Sequence, residues 1–158
     1  MIEVSIDQKD LDRLVETLAK SPQIIQQAKR QAFEEAAPKL KQAVDTAIGG
    51  SGKVQSWQAQ YVGSKGGYAA VRPKGKTFTE VNGRGKRYAV GQVTNAIDSG
   101  HRFPSPSGKD KHYRPRIESG RQSVPGKAFY QSAEAQLPAI AQAAAEQVVA
   151  ALMKHLEE

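Results

Sequence analysis

Apolar residues recur at helical spacing through the C-terminal part of the chain, and any fold must bury the face that they form. The recurring residues are Phe129, Ala133, Leu137, Ile140, Ala144, Val148, Leu152 and Leu156. At 3.6 residues per turn they lie on one side of a helix, which predicts an amphipathic C-terminal helix over residues 128–156. We expect Pro138 to kink this helix, because proline lacks a backbone donor and clashes with the preceding turn.

Two aromatic residues begin this helix and are predicted to anchor it. Pro125 and Gly126 mark a turn immediately before it, and Phe129 and Tyr130 follow in its first turn. Aromatic residues make up only 6% of the sequence, so few other large side chains are available to close this end of the core. We therefore expect both rings to be largely buried.

A second helical region is predicted over residues 8–48, after a short strand at Ile2–Ile6. Asp7 has the position of an N-cap for a first helix, and Ser21 and Pro22 provide the N-cap and first position of a second, longer one. That helix is predicted to bend at Pro38 and to stop at Gly49–Gly50. Its small apolar residues favour close packing, with the C-terminal helix as the expected partner: Ala28, Ala32, Ala36 and Ala43.

The middle of the chain, residues 53–97, is predicted to be mainly β-structure with a short helix. Strand-like runs occur at residues 57–61, 68–71 and 77–81. Asn82–Gly83 is a strong hairpin signal, so a return strand is expected from Arg84, and it would carry the cations Arg84, Lys86 and Arg87. Residues 88–99 are ambiguous between strand and helix. Their apolar spacing favours a short helix, with Gly100 as the left-handed residue that follows it.

Positive charge is concentrated in the same part of the chain. Residues 53–127 contain fifteen Lys and Arg against four Asp and Glu, whereas the whole chain has a net charge of +7. Residues 101–122 combine three prolines with many cations, and we expect them to form a mobile basic arm. The cations expected to contact a partner or DNA are Arg84, Lys86, Arg87, Arg102, Lys109, Lys111, Arg114, Arg116 and Arg121.

The sequence offers no recognisable chemistry of catalysis. It contains no cysteine, which excludes disulfides and thiolate metal sites. The run Gly50–Lys53 lacks the spacing of a phosphate-binding loop, because Ala47 and Val54 stand where that motif needs Gly and Ser or Thr. His101 and His112, with Asp98 and Asp110, are more typical of a solvent-exposed loop than of ligands. We therefore predict no catalytic, cofactor or metal site.

Two short segments and the order of the elements resemble a known family. The segments are Ala-Ile-Asp-Ser-Gly-His at residues 96–101 and Val-Pro-Gly-Lys-Ala-Phe-Tyr at residues 124–130. With a long N-terminal helix, a basic β-region and a C-terminal helix, the chain resembles the tail-component family of tailed bacteriophages. That family includes neck and tail-completion proteins of the minor tail protein Z type. In this chain the connection between the two segments looks longer than is usual there.

Together these features predict a single α+β domain over residues 1–158. An antiparallel sheet of about four strands would pack against the two long helices, with the basic arm as a long loop. The resemblance implies a non-enzymatic virion protein, a tail-completion or neck ring that is assembled in the bacterial cytoplasm. Its partners would be tail or connector proteins and further copies of itself, with possible non-specific contact with DNA and none with a membrane. The alternative is a small basic nucleic-acid-binding protein.

Overall fold

The computed structural model describes residues 8–50, 52–64, 66–80, 85–102 and 123–157. Its contacts divide the chain into two compact units. Unit 1 contains residues 1–40, 60–70 and 136–158, and unit 2 contains residues 41–59 and 71–135. The predicted strand at Ile2–Ile6, the Asp7 cap and most of the basic arm lie outside the described residues.

The N-terminal helical region is one continuous helix, α1 (Gln8–Ile48), which is 41 residues long. The prediction that Ser21 and Pro22 start a second helix is therefore wrong. Ser21 is buried, and its hydroxyl donates to the Thr17 carbonyl one turn earlier (3.1 Å). The side chain thus bonds backward along the helix and does not cap a new one. The helix ends where the sequence predicted, immediately before Gly49.

Unit 1 consists largely of α1 and the C-terminal helix α5 (Leu137–Glu157). Ala32, Ala36 and Ala37 are its buried apolar residues on α1, and such small side chains allow a second helix to approach closely. The Gln147 amide donates to a Glu35 carboxylate oxygen (2.6 Å). Nearer the chain ends, His155 Nε2 lies 3.1 Å from the Thr17 carbonyl oxygen. The two helices therefore run in opposite directions.

The predicted C-terminal helix is divided into two. Helix α4 (Phe129–Glu134) is separated from α5 by a turn at residues 135–136. Pro138 lies in the first turn of α5, where proline is tolerated because the first N–H groups of a helix have no intrahelical acceptor. The break also changes the apolar face, since Leu137 and Leu156 are exposed and not buried as the repeat predicted.

Short antiparallel strand pairs take the place of the expected four-stranded sheet. After the one-turn helix α2 (Lys53–Ser56), β1 (Gln58–Val62) pairs with β2 (Ala69–Pro73) and β3 (Phe78–Glu80) pairs with β4 (Arg87–Ala89). Helix α3 (Val90–Asp98) follows, and β5 (Gly100–Arg102) then pairs with β6 (Ser123–Pro125). Among the residues that are described, each sheet therefore contains two strands. The mixed helix-and-sheet class is as predicted, but the single sheet is not.

The second hairpin begins its return strand later than expected. Its register pairs Phe78 with Ala89, Thr79 with Tyr88 and Glu80 with Arg87. Strand β4 thus starts at Arg87 and not at Arg84, and Lys86 precedes it. The Gly85 N–H donates to the Glu80 carboxylate (2.6 Å), which closes the loop from the side of β3. Of the three cations predicted for this strand, it contains Arg87 alone.

The core of unit 2 forms around Phe129. This ring is 1% exposed and packs in a cluster with Ala43, Val44 and Ala133. The Tyr130 ring lies beside it, with the two ring centroids 4.7 Å apart and the planes tilted by 51°, a geometry that aromatic pairs favour. The other buried members of the cluster are two alanines and a valine, so Phe129 is its largest buried side chain.

We expect Phe129→Ala to lower the free energy of unfolding by about 3–5 kcal/mol, the range for truncating a buried phenylalanine. Phe78→Ala is the matched control, because that ring is 53% exposed. It should change the free energy of unfolding by about 1 kcal/mol or less. Chemical denaturation of both variants measures the difference. Equal losses would contradict the central position of Phe129.

Candidate functional site

The two segments that carry the family resemblance lie against each other in unit 2. Helix α3 ends at Asp98, and Gly100 follows with a left-handed backbone (φ 77°), as predicted. The chain then enters β5, whose register pairs Gly100 with Pro125 and His101 with Val124. We call this contact between residues 97–100 and 124–130 the junction.

Backbone hydrogen bonds hold the junction together. The Lys127 N–H donates to the Ile97 carbonyl and the Ala128 N–H to the Asp98 carbonyl, both at 2.9 Å. The Tyr130 N–H donates to the Asp98 carboxylate (3.1 Å). Asp98 therefore supplies, from the end of α3, the side-chain acceptor that the first turn of α4 needs, because Ala128 at the N-cap has none.

The junction is so close that it requires glycine on both sides. A Cβ atom on Gly100 would lie 2.5 Å from the Val124 carbonyl oxygen and 2.6 Å from the Gly126 nitrogen. A Cβ atom on Gly126 would overlap the Asp98 carbonyl oxygen and lie 2.5 Å from the Ser99 carbonyl carbon. These neighbours are backbone atoms and cannot move aside as a flexible side chain does. The two glycines thus fix how α3 and α4 meet.

A buried polar group joins the junction to the first strand pair. Gln58 is 1% exposed and Thr94 is fully buried. The Tyr130 hydroxyl donates to Gln58 Oε1 (2.6 Å), and the Gln58 amide nitrogen donates to the Val54 carbonyl (3.2 Å). That nitrogen also lies 3.5 Å from the Thr94 hydroxyl. Both ends of the buried amide are therefore satisfied, as a core polar group requires.

This environment changes the acidity of Tyr130. Burial, assisted by the negative charge of Asp98, raises the pKa of Tyr130 from 10.0 to about 12. The hydroxyl therefore remains protonated through the physiological range and acts as a donor to Gln58. It serves the structure as a hydrogen-bond donor and is poorly suited to act as a base.

An open apolar groove borders the junction. Helix α3 contributes Val93, Ala96 and Ile97, β4 contributes Tyr88, and β6 contributes Val124 and Pro125. Gln92, His101 and Lys127 are the polar members of its lining, and the cavity measures about 730 Å³. The Lys86 ammonium lies 5.3 Å from the centroid of the Tyr88 ring, which adds a cation beside the groove. The groove is thus apolar within and positively charged at its edges.

The structure describes three of the nine cations that were predicted to contact a partner or DNA. Lys86, Arg87 and Arg102 are exposed, and Arg87 lies over the Phe78 ring at 5.7 Å from its centroid. The other six lie outside the described residues: Arg84, Lys109, Lys111, Arg114, Arg116 and Arg121. The packing anchors Phe129 and Tyr130 are at the junction, one buried and the other partly buried.

Of the histidines and aspartates considered in the sequence as ligands, the structure describes Asp98 and His101. Asp98 bonds to the first turn of α4, and His101 is an exposed residue of the groove lining. His112 and Asp110 lie outside the described residues. The part of the chain that is described contains no group of three potential metal ligands. In that part no helix is both long and apolar enough to span a bilayer.

Sequence reasoning missed the buried amide. The alternation of Trp57, Ala59 and Tyr61 with polar neighbours predicted a strand and assigned no role to Gln58. In the structure Gln58 is buried and Trp57 is only partly so. No signal in one sequence identifies this, because the partners of Gln58 come from α3 and α4, 36 and 72 residues away.

Comparison with known proteins gives no relative from which a function could be transferred. No protein-family model matches the chain, and no curated protein or solved structure is significantly similar to it.

Because the junction is so close, we expect the addition of one methyl group there to lower the stability of the protein strongly. Gly126→Ala should destabilise unit 2 by about 2 kcal/mol or more, since the new Cβ atom overlaps backbone atoms of α3. Gly75→Ala is the matched control, because a Cβ atom there meets nothing within 4 Å. Thermal unfolding followed by circular dichroism compares them. A Gly126→Ala protein as stable as the control would show that the junction is looser than described.

Removing the Tyr130 hydroxyl should change stability and its pH dependence. Tyr130→Phe leaves Gln58 Oε1 without its donor, which should cost about 1–3 kcal/mol. The raised pKa means that the neutral hydroxyl stabilises the fold fully below pH 10.0, and that this contribution is lost as the pH rises through about 12. The variant should lack that alkaline loss, whereas Tyr68→Phe, at an exposed ring, should keep it. Denaturant titrations across the alkaline range measure both.

Proposed function

We propose that this protein is a non-enzymatic structural component of a tailed phage or prophage virion. It acts at the head–tail junction or the tail end as a tail-completion or neck protein, and it works as a ring of identical copies. The order of its elements supports the proposal, as do the two segments that meet at the junction. The groups at the junction also serve the structure, since Asp98, Gln58 and Tyr130 are engaged with one another and with backbone.

One observation carries the proposal: large apolar side chains stand exposed on both helices of unit 1. Val15 and Leu18 lie three residues apart on α1, while Val149, Met153 and Leu156 follow at spacings of four and three on α5. Each is between 46% and 60% exposed. Residues at these spacings share a helix face. Exposed apolar faces of this kind are typical of surfaces that associate with another protein.

The charges of unit 1 favour a second copy of the chain as the occupant of these faces. Its described residues contain equal numbers of cations and anions, so the net charge of this part does not oppose contact between two copies. Charges of both signs also lie beside the exposed apolar residues. Lys154 and Glu157 flank the apolar face of α5, and Glu16 and Lys20 form an ion pair on α1 (2.8 Å). Such a surface is complementary to another copy of itself.

Two different faces allow copies to associate in a ring. If the α1 face of one copy contacts the α5 face of the next, every copy uses both faces and the contact is heterologous. Contacts of this type close into rings when the rotation between copies permits it. A ring is the arrangement implied by the resemblance to tail-completion proteins.

Nucleic-acid binding is the second candidate, and the charge of unit 2 favours it. Its described residues contain more cations than anions, and Lys86, Arg87 and Arg102 are exposed. Binding of this kind neutralises phosphates, so it weakens steeply with salt. Salt-dependent binding of random duplex DNA by the isolated protein would favour this candidate, whereas co-purification with tail or connector proteins favours the first.

A complementation experiment tests the proposal. Deleting the gene from its phage or prophage should yield filled heads and tails that do not join, or tails with defective ends, because the completing ring is missing. Wild-type protein and Ala139→Glu, an exposed change at the start of α5, should restore infectious particles. Met153→Glu places a charge on the apolar face and should not restore them. Normal particles after deletion would refute the assembly function.

A further inference from the structure

We infer that the groove beside the junction binds an extended, acidic and apolar segment of another protein. The groove is the concave surface defined above, whose apolar lining consists of Val93, Ala96 and Ile97 from α3 and of Tyr88, Val124 and Pro125 from the strands. This inference does not rest on the proposed function, which depends on the helices of unit 1. All of the lining residues belong to unit 2.

The shape of the groove favours a protein segment over a small molecule. Its volume of about 730 Å³ lies within the range of ligand pockets. A small-molecule pocket, however, encloses most of its ligand, and here Gln92, His101, Val124, Pro125 and Lys127 are all exposed. An open groove of this size instead suits side chains that project from a larger partner.

The residues that line the groove indicate which side chains of a partner it would bind. Its interior is formed mainly by aliphatic side chains, which favour aliphatic groups through burial of apolar surface. Nucleic acid would instead need several flat rings on which bases stack, and Tyr88 is the one aromatic residue of the described lining. The apolar interior therefore favours a protein over a nucleic acid.

The charges around the groove indicate which polar residues the bound segment would contain. Among its described residues the lining contains Lys127 but no Asp or Glu, and the Lys86 ammonium lies over Tyr88. Exposed Arg102 follows His101 in β5. Carboxylates on either side of the apolar side chains would meet these cations, whereas lysines would be repelled.

An extended conformation follows from the strands of the wall. The described lining includes residues of β4, β5 and β6, and among the described residues β5 and β6 form a sheet of two strands. A two-stranded sheet can be extended by an added strand, which bonds to the backbone groups of an edge. In an extended segment alternate side chains point the same way, so leucine alternating with glutamate would present leucines to the groove and carboxylates to the solvent-facing cations.

The test is a titration of the full-length ¹⁵N-labelled protein with short synthetic probes. One peptide alternates leucine with glutamate, a second alternates leucine with lysine, and both have blocked ends. The third probe is a single-stranded oligonucleotide of similar negative charge. The acidic peptide should shift the amide signals of Val93, Ala96, Ile97 and His101. The basic peptide should bind at least about tenfold more weakly, because its charges oppose those of the edge.

Two variants and a control locate the binding. Val93→Asp places a carboxylate in the apolar interior and should abolish binding of the acidic peptide. Lys127→Ala removes one edge cation but keeps the backbone bond of the junction, and it should weaken binding about two- to fivefold. Lys74→Ala removes another exposed charge of unit 2, one that does not line the groove, and it should leave binding unchanged. If Val93→Asp does not fold, the comparison of Lys127→Ala with Lys74→Ala still shows whether the peptide binds in the groove.

Three outcomes would overturn the inference. They are an absence of binding by the acidic peptide, equal binding of the acidic and basic peptides, and tighter binding of the oligonucleotide to the same residues. None of them would affect the complementation result for Met153→Glu, so failure here is distinguishable from failure of the proposed function.

Discussion

The contact between Gly100 and Gly126 is the constraint on which unit 2 depends. Only at backbone-to-backbone distance can the Lys127 and Ala128 N–H groups reach the end of α3, and only then does the Asp98 carboxylate reach the first turn of α4. The first turn of α4 then places Phe129 in the core and lets the Tyr130 hydroxyl donate to Gln58. The aromatic anchors are therefore positioned by the closeness of two glycines, and their burial follows from it.

The buried polar group is explained by the scarcity of large apolar side chains. With aromatics at 6% of the sequence, the polar side chains of Gln58 and Thr94 are buried together with Val90, and Gln58 bonds to Tyr130. Hydrogen bonds between such groups are directional, so they specify a single arrangement more strictly than apolar contacts do. The same groups add less net stabilisation than apolar burial would, because each loses its contacts with water.

Features encoded locally could be predicted from the sequence, and features that depend on distant partners could not. Helical spacing predicted the extent of α1 to Ile48, and Gly100 was predicted as the residue after α3, because both depend on neighbours in the chain. Ser21–Pro22 misled because burial of Ser21 outweighed a local start signal. Gln58 was missed because its partners lie in other elements, and the strand runs gave no indication of which strands pair. The groove could not be foreseen for the same reason, since four elements contribute to its wall.

The pairing of β5 with β6 has a consequence for the connection between them. Arg102 pairs with Ser123, so the ends of the segment 103–122 are held one strand spacing apart by the fold itself. Where two ends are fixed in this way, a flexible connection of twice the length costs only about 0.6 kcal/mol more to close. The pairing of β5 with β6 therefore fixes where the chain leaves unit 2 and where it returns, whatever the length of the connection between them.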